Sequence, residues 1–185
     1  MTISIKPTAS GSTIEQDGST ILTVDGSGNI STPNNLTVSG SLSAASGGGK
    51  VLQVINASYS TTTGSSTSTY ANTGLTASIT PSSTSSKILV IVHQEGLSKV
   101  TNSTGVDLKL FRGTTELALF GGNAGQQYTT AWNFVGGAGI TYLDSPSTTS
   151  STTYKTQFSS TGNNANVYVQ SNNATSTITL MEIAG

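Results

Sequence analysis

Apolar and polar residues alternate with a period of two through most of the chain after residue 50. In VDLKLFR, for example, Val106, Leu108 and Leu110 fall on one face and Asp107 falls on the other. Such alternation is typical of a β-strand with one buried face. The i, i+3, i+4, i+7 spacing of an amphipathic helix does not occur over any long window. The pattern therefore predicts an all-β chain in which helix is nearly absent.

Alternating runs are separated by clusters of Gly, Asn and Ser, which favour turns. They predict ten strands, at 50–56, 74–80, 87–94, 106–112, 115–120, 128–135, 139–144, 153–159, 166–171 and 177–183. Gly113 marks a hairpin between the fourth and fifth of these strands. Short strands at regular spacing predict a jelly-roll-like antiparallel β-sandwich.

The strand KILVIVHQ (87–94) is apolar on both faces. One face carries Ile88, Val90 and Val92, and the other carries Leu89, Ile91 and His93. Since a two-layer sandwich buries one face of each strand, the second face requires a loop or another copy of the chain to cover it. TITLMEI (177–183) has the same property. We therefore predict a subunit interface that includes Leu89, Ile91 and His93.

The segment before the glycines at 47–49 is poorer in large apolar residues and contains a short repeat. Leu-Thr-Val followed by a Gly turn begins at Leu22 and again at Leu36, fourteen positions later. Eight large apolar side chains, at about 1.5 to 3 kcal/mol each, do not offset the ordering of about 35 residues at about 1 to 2 kcal/mol apiece. We expect several copies to wind together and to bury a shared set of residues between them. This set is Leu22, Val24, Ile30, Leu36 and Val38. A disordered Ser/Gly-rich tether is the alternative.

Composition and charge exclude several classes of function. Of the 185 residues 8% are charged, the net charge is −1, and the seven Lys and Arg are scattered, so a nucleic-acid partner is not expected. The chain has no cysteine and therefore no disulfide framework or thiolate metal site. The N-terminus has no export signal, and the longest apolar stretch, Ile88 to Val92, is too short to cross a membrane. We expect a product made in the cytoplasm without membrane insertion.

Residues that could carry catalysis or bind a metal are sparse. His93 is the single histidine, and no Gly-x-Ser-x-Gly turn accompanies it as in serine hydrolases. The DGSGN segment at 25–29 lacks the later acidic residues of a calcium loop, and SGGGK at 46–50 lacks the first Gly and the hydroxyl residue of a phosphate loop. We predict no enzyme activity, no metal and no cofactor.

The stretch GGNAGQQYTTAWNF (121–134) is the most suggestive of ligand binding. Gln126 and Gln127 stand beside Tyr128, and Trp132 is the one tryptophan of the chain. Proteins often hold sugars between aromatic faces and amide groups, so these four residues are candidate contacts to a host surface glycan. Tyr128, Trp132 and Phe134 also share a strand face, which leaves a core position for Trp132 as the alternative.

Two groups of segments resemble known virus proteins. STIEQDGSTILTVDGSGNISTPNNLTVSGSLS resembles the β-repeat shafts of bacteriophage fibres. GKVLQVINASYS, GLTASITPSSTSSKILVIV, LKLFRGTTEL, LDSPSTTSSTTYKTQF and STITLMEI resemble the globular heads of fibre-like proteins from marine and cyanobacterial phages.

The resemblance implies a homotrimeric component of a virion that adheres to the host surface. It implies a particle-attachment segment at 1–20 that contacts another virion protein, a β-repeat shaft and Gly-rich linker at 21–47, and a β-sandwich head at 48–185. Whether the particle contact is with the tail or with the capsid stays open. A capsid decoration protein without a host ligand is the alternative, and a trimeric domain of the complement C1q type is a third possibility with a similar sandwich.

Overall fold

A computed structural model describes residues 3–8, 11–25, 27, 30–33, 50–126 and 133–185. Nearly all of these residues lie in or between β-strands, and the helical structure within the described ranges is limited to a 3-10 turn at Ser171–Asn173. The all-β fold class is thus confirmed. No helix in the described ranges is long and apolar enough to span a membrane. The chain divides into two compact units, Met1–Ser46 and Gly47–Gly185.

The strands are numbered in chain order. The first unit contains β1 (Ile3–Thr8), β2 (Gly11–Gln16), β3 (Ser19–Asp25) and β4 (Ile30–Ser31). The second unit contains β5 (Val51–Tyr59), β6 (Thr63–Ser65), β7 (Ala71–Ile79), β8 (Lys87–Lys99), β9 (Thr104–Arg112), β10 (Thr115–Ala124), β11 (Asn133–Asp144), β12 (Thr152–Gly162), β13 (Val167–Val169) and β14 (Ser176–Ile183).

The first unit is an antiparallel meander, sheet 1, with strand order β1-β2-β3-β4. Asp17 and Gly18 connect β2 to β3 with φ values of 49° and 84°, as two-residue hairpin turns require. The described strands of this unit pair with one another within the chain. The winding of several copies around a shared axis stays a prediction. Leu36 and Val38, in the second copy of the repeat, lie outside the described residues.

The second unit is formed by two antiparallel sheets. Sheet 2 has the order β10-β9-β12-β7. Sheet 3 has the order β5-β14-β8-β13-β6, and β11 pairs with β8 along its other edge. One cluster of buried residues draws on β7 and β9 of sheet 2 and on β8 and β14 of sheet 3. The two sheets thus pack face to face as a sandwich.

The predicted inner faces are confirmed. Ile88, Val90 and Val92 are buried in one core cluster together with Ile178 and Leu180. A second cluster forms around the other end of the sandwich and contains Leu97, Val106, Leu108, Phe158, Val167 and Val169. Leu110 belongs to the first cluster, so the alternating face of β9 contributes to both.

Several strand predictions differ from the structure. The segments 128–135 and 139–144 were expected as separate strands, but β11 runs without interruption over Asn133–Asp144, and residues 128–132 lie outside the described ranges. The register of β11 shifts on both sides of Gly136, which has a φ of 96°, so the glycines between the two predicted strands lie in β-bulges. The strand predicted at 166–171 is shorter, since Gln170 adopts a left-handed φ of 51° and the 3-10 turn follows it.

Candidate functional site

The outer face of sheet 2 is polar and charged. Lys109 projects from the middle of this face and pairs with Glu116 at 2.7 Å. Its ammonium group also lies 4.3 Å from the centre of the Tyr70 ring, and the Tyr70 hydroxyl donates to Asp107 at 3.1 Å. Such a face is suited to contact with water.

The outer face of sheet 3 is different, because a row of apolar side chains crosses it from edge to edge. Cross-strand pairing aligns Val54 of β5 with Met181 of β14, Met181 with Leu89 of β8, and Leu89 with Leu143 of β11. Residues opposite each other on neighbouring strands project from the same face. With strands about 4.8 Å apart, the row is about 14 Å wide.

This face changes from apolar to polar along β8. The next outward residue, Ile91, lies between Thr179 and Thr141. His93 follows, is exposed, and has its Nε2 atom 2.5 Å from a carboxylate oxygen of Glu95. The apolar part is therefore the end of the face that contains Leu89.

Several side chains of this end remain open to solvent. Val54 and Leu143 are each 52% exposed, and Val51, Leu52 and Ile91 are also exposed. Contiguous apolar surface on a soluble chain usually marks a contact with another molecule. We call this surface, formed by Val51, Leu52, Val54, Leu89, Ile91, Leu143, Met181 and Ile183, the apolar end of sheet 3.

Sheet 1 also has an apolar face. Ile5 pairs with Ile14, and Ile14 pairs with Leu22, so these three side chains form a row, while Val24 pairs with Ile30. None of the side chains described in this unit is buried, and Ile5 is 70% exposed. A sheet stabilises its apolar face by packing it against a second layer. That layer is not provided by the described residues of this unit.

The structure brings together several of the residues predicted from the sequence. Leu89, Ile91 and His93 share the outer face of sheet 3, and Leu22, Val24 and Ile30 occupy β3 and β4 of sheet 1. Leu36 and Val38, and the predicted ligand contacts Gln127, Tyr128 and Trp132, fall outside the described residues. Gln126 is half-buried and its backbone amide donates to the Asn123 carbonyl at 3.0 Å.

Sequence reasoning missed Val54 and Leu143. The segment VLQVI (51–55) is apolar on both faces, like KILVIVHQ, and that signal was available for Val54. Leu143 lies in GITYLD, whose alternation alone does not distinguish it from a singly exposed residue. Its significance follows only from its alignment with Leu89 in the folded sheet.

A buried carboxylate lies beneath the apolar end of sheet 3 and fixes its strands. Glu182 of β14 is 1% exposed and accepts hydrogen bonds from Gln53 Nε2 and from the backbone and hydroxyl of Ser82, each at 2.6 Å. Burial alone would raise the pKa of Glu182, but these hydrogen bonds to the charged form lower it to about 2. The side chain thereby ties β14 to β5 and to the loop after β7.

A second polar cluster ties β11 to sheet 2. Arg112 Nη1 lies 2.8 Å from both carboxylate oxygens of Asp144, and the Tyr154 hydroxyl donates to the same carboxylate at 2.6 Å. Burial, followed by the hydrogen bond to Asp144, raises the pKa of Tyr154 above its ordinary value. Because Asp144 follows Leu143 directly, this cluster holds the edge strand that carries Leu143.

Comparison with known proteins gives no identification. No protein-family model matches the chain, and no curated protein matches it at a significant level. In the part of the chain that the structure describes, no three His, Cys, Asp or Glu side chains are grouped so that they could hold a metal ion. Function is therefore inferred from the two apolar faces and from the sequence resemblance.

Proposed function

We propose that this chain is a non-enzymatic structural protein that assembles with copies of itself, as a homotrimer, through its two apolar faces. The observation that carries the proposal is the row Val54, Met181, Leu89 and Leu143 on the outer face of sheet 3. The opposite sheet of the same sandwich has Lys109 and Glu116 on its outer face, which is what a wet surface requires.

Copies of the same chain suit these faces better than a charged partner would. The net charge of −1 on 185 residues means that copies repel each other little. Within the row itself the four side chains are uncharged, so a copy that covers them leaves no buried charge unpaired. Rotational symmetry would bring the same faces of each copy to a common interface.

The strand order supports a jelly-roll topology for the second unit. The long strands of sheet 3 follow β5-β14-β8-β11, and those of sheet 2 follow β7-β12-β9-β10. Chain-order neighbours such as β7 and β8 lie in different sheets, and the last strand pairs with the first. This division of eight strands between two sheets supports the proposal that the second unit is a jelly roll.

We further propose that the trimer is a fibre displayed on a bacteriophage particle. In this proposal residues 1–20 attach to a tail or capsid protein, 21–47 form the shaft and linker, and 48–185 form a head that adheres to host surface glycans. The resemblance of the shaft and head segments to phage fibre proteins supports this role. A capsid decoration protein without a host ligand is the alternative.

The solution mass of the full chain, measured by light scattering after size exclusion, tests the assembly. We expect a mass of three chains at micromolar concentration. A mass of one chain would overturn the proposed assembly, and a mass of two chains would overturn the trimer while leaving the apolar face as an interface.

Binding of the labelled full chain to cells and to particles separates the two biological roles. A fibre for adhesion should bind cyanobacterial cells that its phage infects and should be displaced by unlabelled chain. Saturable binding to phage heads that lack the protein, with no binding to cells, would favour the decoration protein and overturn the adhesion role.

A further inference from the structure

Two aromatic side chains flank a small residue on the outer face of sheet 3, at the end away from the apolar row. Phe134 of β11 is aligned with Ser98 of β8, Ser98 with Tyr168 of β13, and Tyr168 with Gly64 of β6. Val167, which follows Asn166 and precedes Tyr168, belongs to the second core cluster and is aligned with Lys99, so the row next to Ser98 and Tyr168 faces the core. Phe134 is 52% exposed. Phe134 and Tyr168 both line a groove at this end of the sheet.

Both rings line one groove, whose size suits a small ligand. The groove has a volume of about 210 Å³ and is lined by Thr62, Phe134, Tyr168, Ser171 and Asn172. Pockets for drug-sized ligands have volumes of about 300 to 1,000 Å³, so this groove fits a smaller ligand.

The walls and floor of the groove are held in place by specific contacts. A Cβ atom at Gly64 would lie 2.9 Å from Tyr168 Cε1, so the Tyr168 ring lies directly over the glycine backbone. The hydroxyl groups of Ser98 and Ser171 form a hydrogen bond of 2.7 Å, and both residues are buried. Thr62 donates its hydroxyl to the Gln170 carbonyl at 2.8 Å. Such support preorganises a binding surface.

The rim of the groove is a strained segment of backbone. Gln170, Asn172 and Asn173 have φ values of 51°, 58° and 58°, in the left-handed region that residues other than glycine seldom adopt. Three such residues within four positions are costly, and strain of this kind concentrates at ligand-binding sites. Its effect here is to present the exposed Asn172 at the edge of the groove.

We propose that this groove binds one uncharged saccharide ring, in contact with the Phe134 and Tyr168 rings and hydrogen-bonded by Asn172. The five lining residues carry aromatic faces, hydroxyls and an amide but no charge, which matches a sugar with apolar ring faces and hydroxyl edges. The inference rests on the adhesion role proposed above and locates it. Its contact residues differ from the sequence-predicted contacts, of which only Gln126 lies in the described residues, and those contacts stay predictions.

The groove and the apolar end of sheet 3 are compatible with each other. Leu89 and Ser98 are nine positions apart on β8, which corresponds to about 30 Å along the strand. A neighbouring copy whose contact is confined to the apolar end of sheet 3 leaves the groove at the other end of the face open. Assembly and sugar binding are thus separable in experiment.

Titration of the full chain with uncharged monosaccharides, observed by saturation-transfer NMR, tests the groove. The probes are glucose, galactose and N-acetylglucosamine, with sialic acid as a charged comparison. We expect saturable, millimolar binding of at least one uncharged sugar. Phe134→Ala should weaken it by about tenfold, in keeping with the loss of one aromatic contact. Leu119→Ala, at a similarly exposed residue of sheet 2, should leave it unchanged.

The paired substitutions Asn172→Gly and Asn173→Gly separate a polar contact from backbone effects. Both residues are exposed with a φ of 58°, and glycine accepts that conformation without strain, but only Asn172 lines the groove. We expect weaker sugar binding for Asn172→Gly and unchanged binding for Asn173→Gly. Equal effects of the two substitutions would overturn the proposed role of the Asn172 amide.

Three results of the sugar titration would overturn the groove proposal, and the oligomeric state of the same samples tests the assembly separately. No saturable binding by any uncharged sugar, binding of sialic acid alone, or binding that is unchanged in Phe134→Ala would overturn the groove proposal. The same samples are measured by light scattering. Trimers that bind no sugar overturn the groove and leave the assembly standing, whereas monomers that bind sugar through Phe134 overturn the assembly and leave the groove standing.

Discussion

Leu143 and Leu119 are exposed to almost the same extent, 52% and 53%, but they lie on opposite faces of the sandwich. Leu143 is aligned with Leu89 in the apolar row of sheet 3, whereas Leu119 is aligned with the charged Lys109 of sheet 2. Exposure alone therefore does not distinguish them, and their neighbours do. A single exposed leucine is common on protein surfaces, while a row of apolar residues indicates a contact.

The first prediction uses this pair. Leu143→Glu should break the trimer, because assembly would bury a carboxylate without a partner at a cost of about 3 kcal/mol or more per copy. Leu119→Glu adds the same charge at a site where water remains, so its trimer should be intact. Light scattering at equal micromolar concentrations measures both masses. Loss of the trimer in both variants, or in neither, would contradict the interface at the apolar end of sheet 3.

The sequence predicted the inner faces of the strands well, because each face depends on alternation within a few residues. Ile88, Val90 and Val92 were placed correctly on this basis. Alternation does not say which strands are neighbours. Val54 and Leu143 are 89 residues apart in the chain, and only the pairing of β5, β14, β8 and β11 places them in one row.

The groove was not predictable from local pattern, because the strand predicted at 87–94 ends before Ser98. The glycine in QEGLSK (94–99) indicates an interruption of that strand. In the structure Gly96 has a φ of 64° and β8 continues to Lys99. A Cβ atom at Gly96 would overlap the backbone of Gln170 and Ser171, so the glycine allows that segment to approach. Ser98 thereby enters the row of Phe134 and Tyr168.

The second prediction concerns stability in acid. The pKa of Glu182 is lower in the folded chain, about 2, than its ordinary value of 4.5, which corresponds to about 3 kcal/mol of folding free energy. Because the folded pKa is the lower one, this contribution is complete above pH 4.5 and is lost as the pH falls towards 2. Glu182→Gln should be less stable than the wild type at pH 7, and the difference should shrink towards pH 2.

Denaturant unfolding at pH 7, 4 and 2.5, at equal chain concentration, measures this difference. Glu116→Gln is the control, because Glu116 is exposed and its pair with Lys109 lies at the surface, where such pairs contribute little to stability. A constant difference between wild type and Glu182→Gln across this pH range would show that Glu182 does not titrate as described.

The third prediction ranks two substitutions around Asp144. Tyr154→Phe removes one hydrogen bond to a charged group and should cost about 1.5 to 3 kcal/mol. Arg112→Met removes the positive partner of a carboxylate that is 8% exposed and should cost more, about 3 kcal/mol or above. Chemical denaturation gives both values. A larger loss for Tyr154→Phe than for Arg112→Met would mean that the hydrogen bond, rather than the ion pair, compensates the burial of Asp144.

The fourth prediction compares two glycines that both have positive φ. Gly113 forms the β9–β10 hairpin with a φ of 56°, and a Cβ atom there would meet nothing within 4 Å. Gly74 has a φ of 92°, and a Cβ atom there would overlap the Tyr59 ring, which packs against the core. Gly113→Ala should therefore cost about 1 kcal/mol from backbone strain alone, and Gly74→Ala should cost at least about 2 kcal/mol, because the Tyr59 ring must also move. Thermal and denaturant unfolding measure both losses. Equal losses would show that Tyr59 moves aside without cost and that it does not brace β5 against β7.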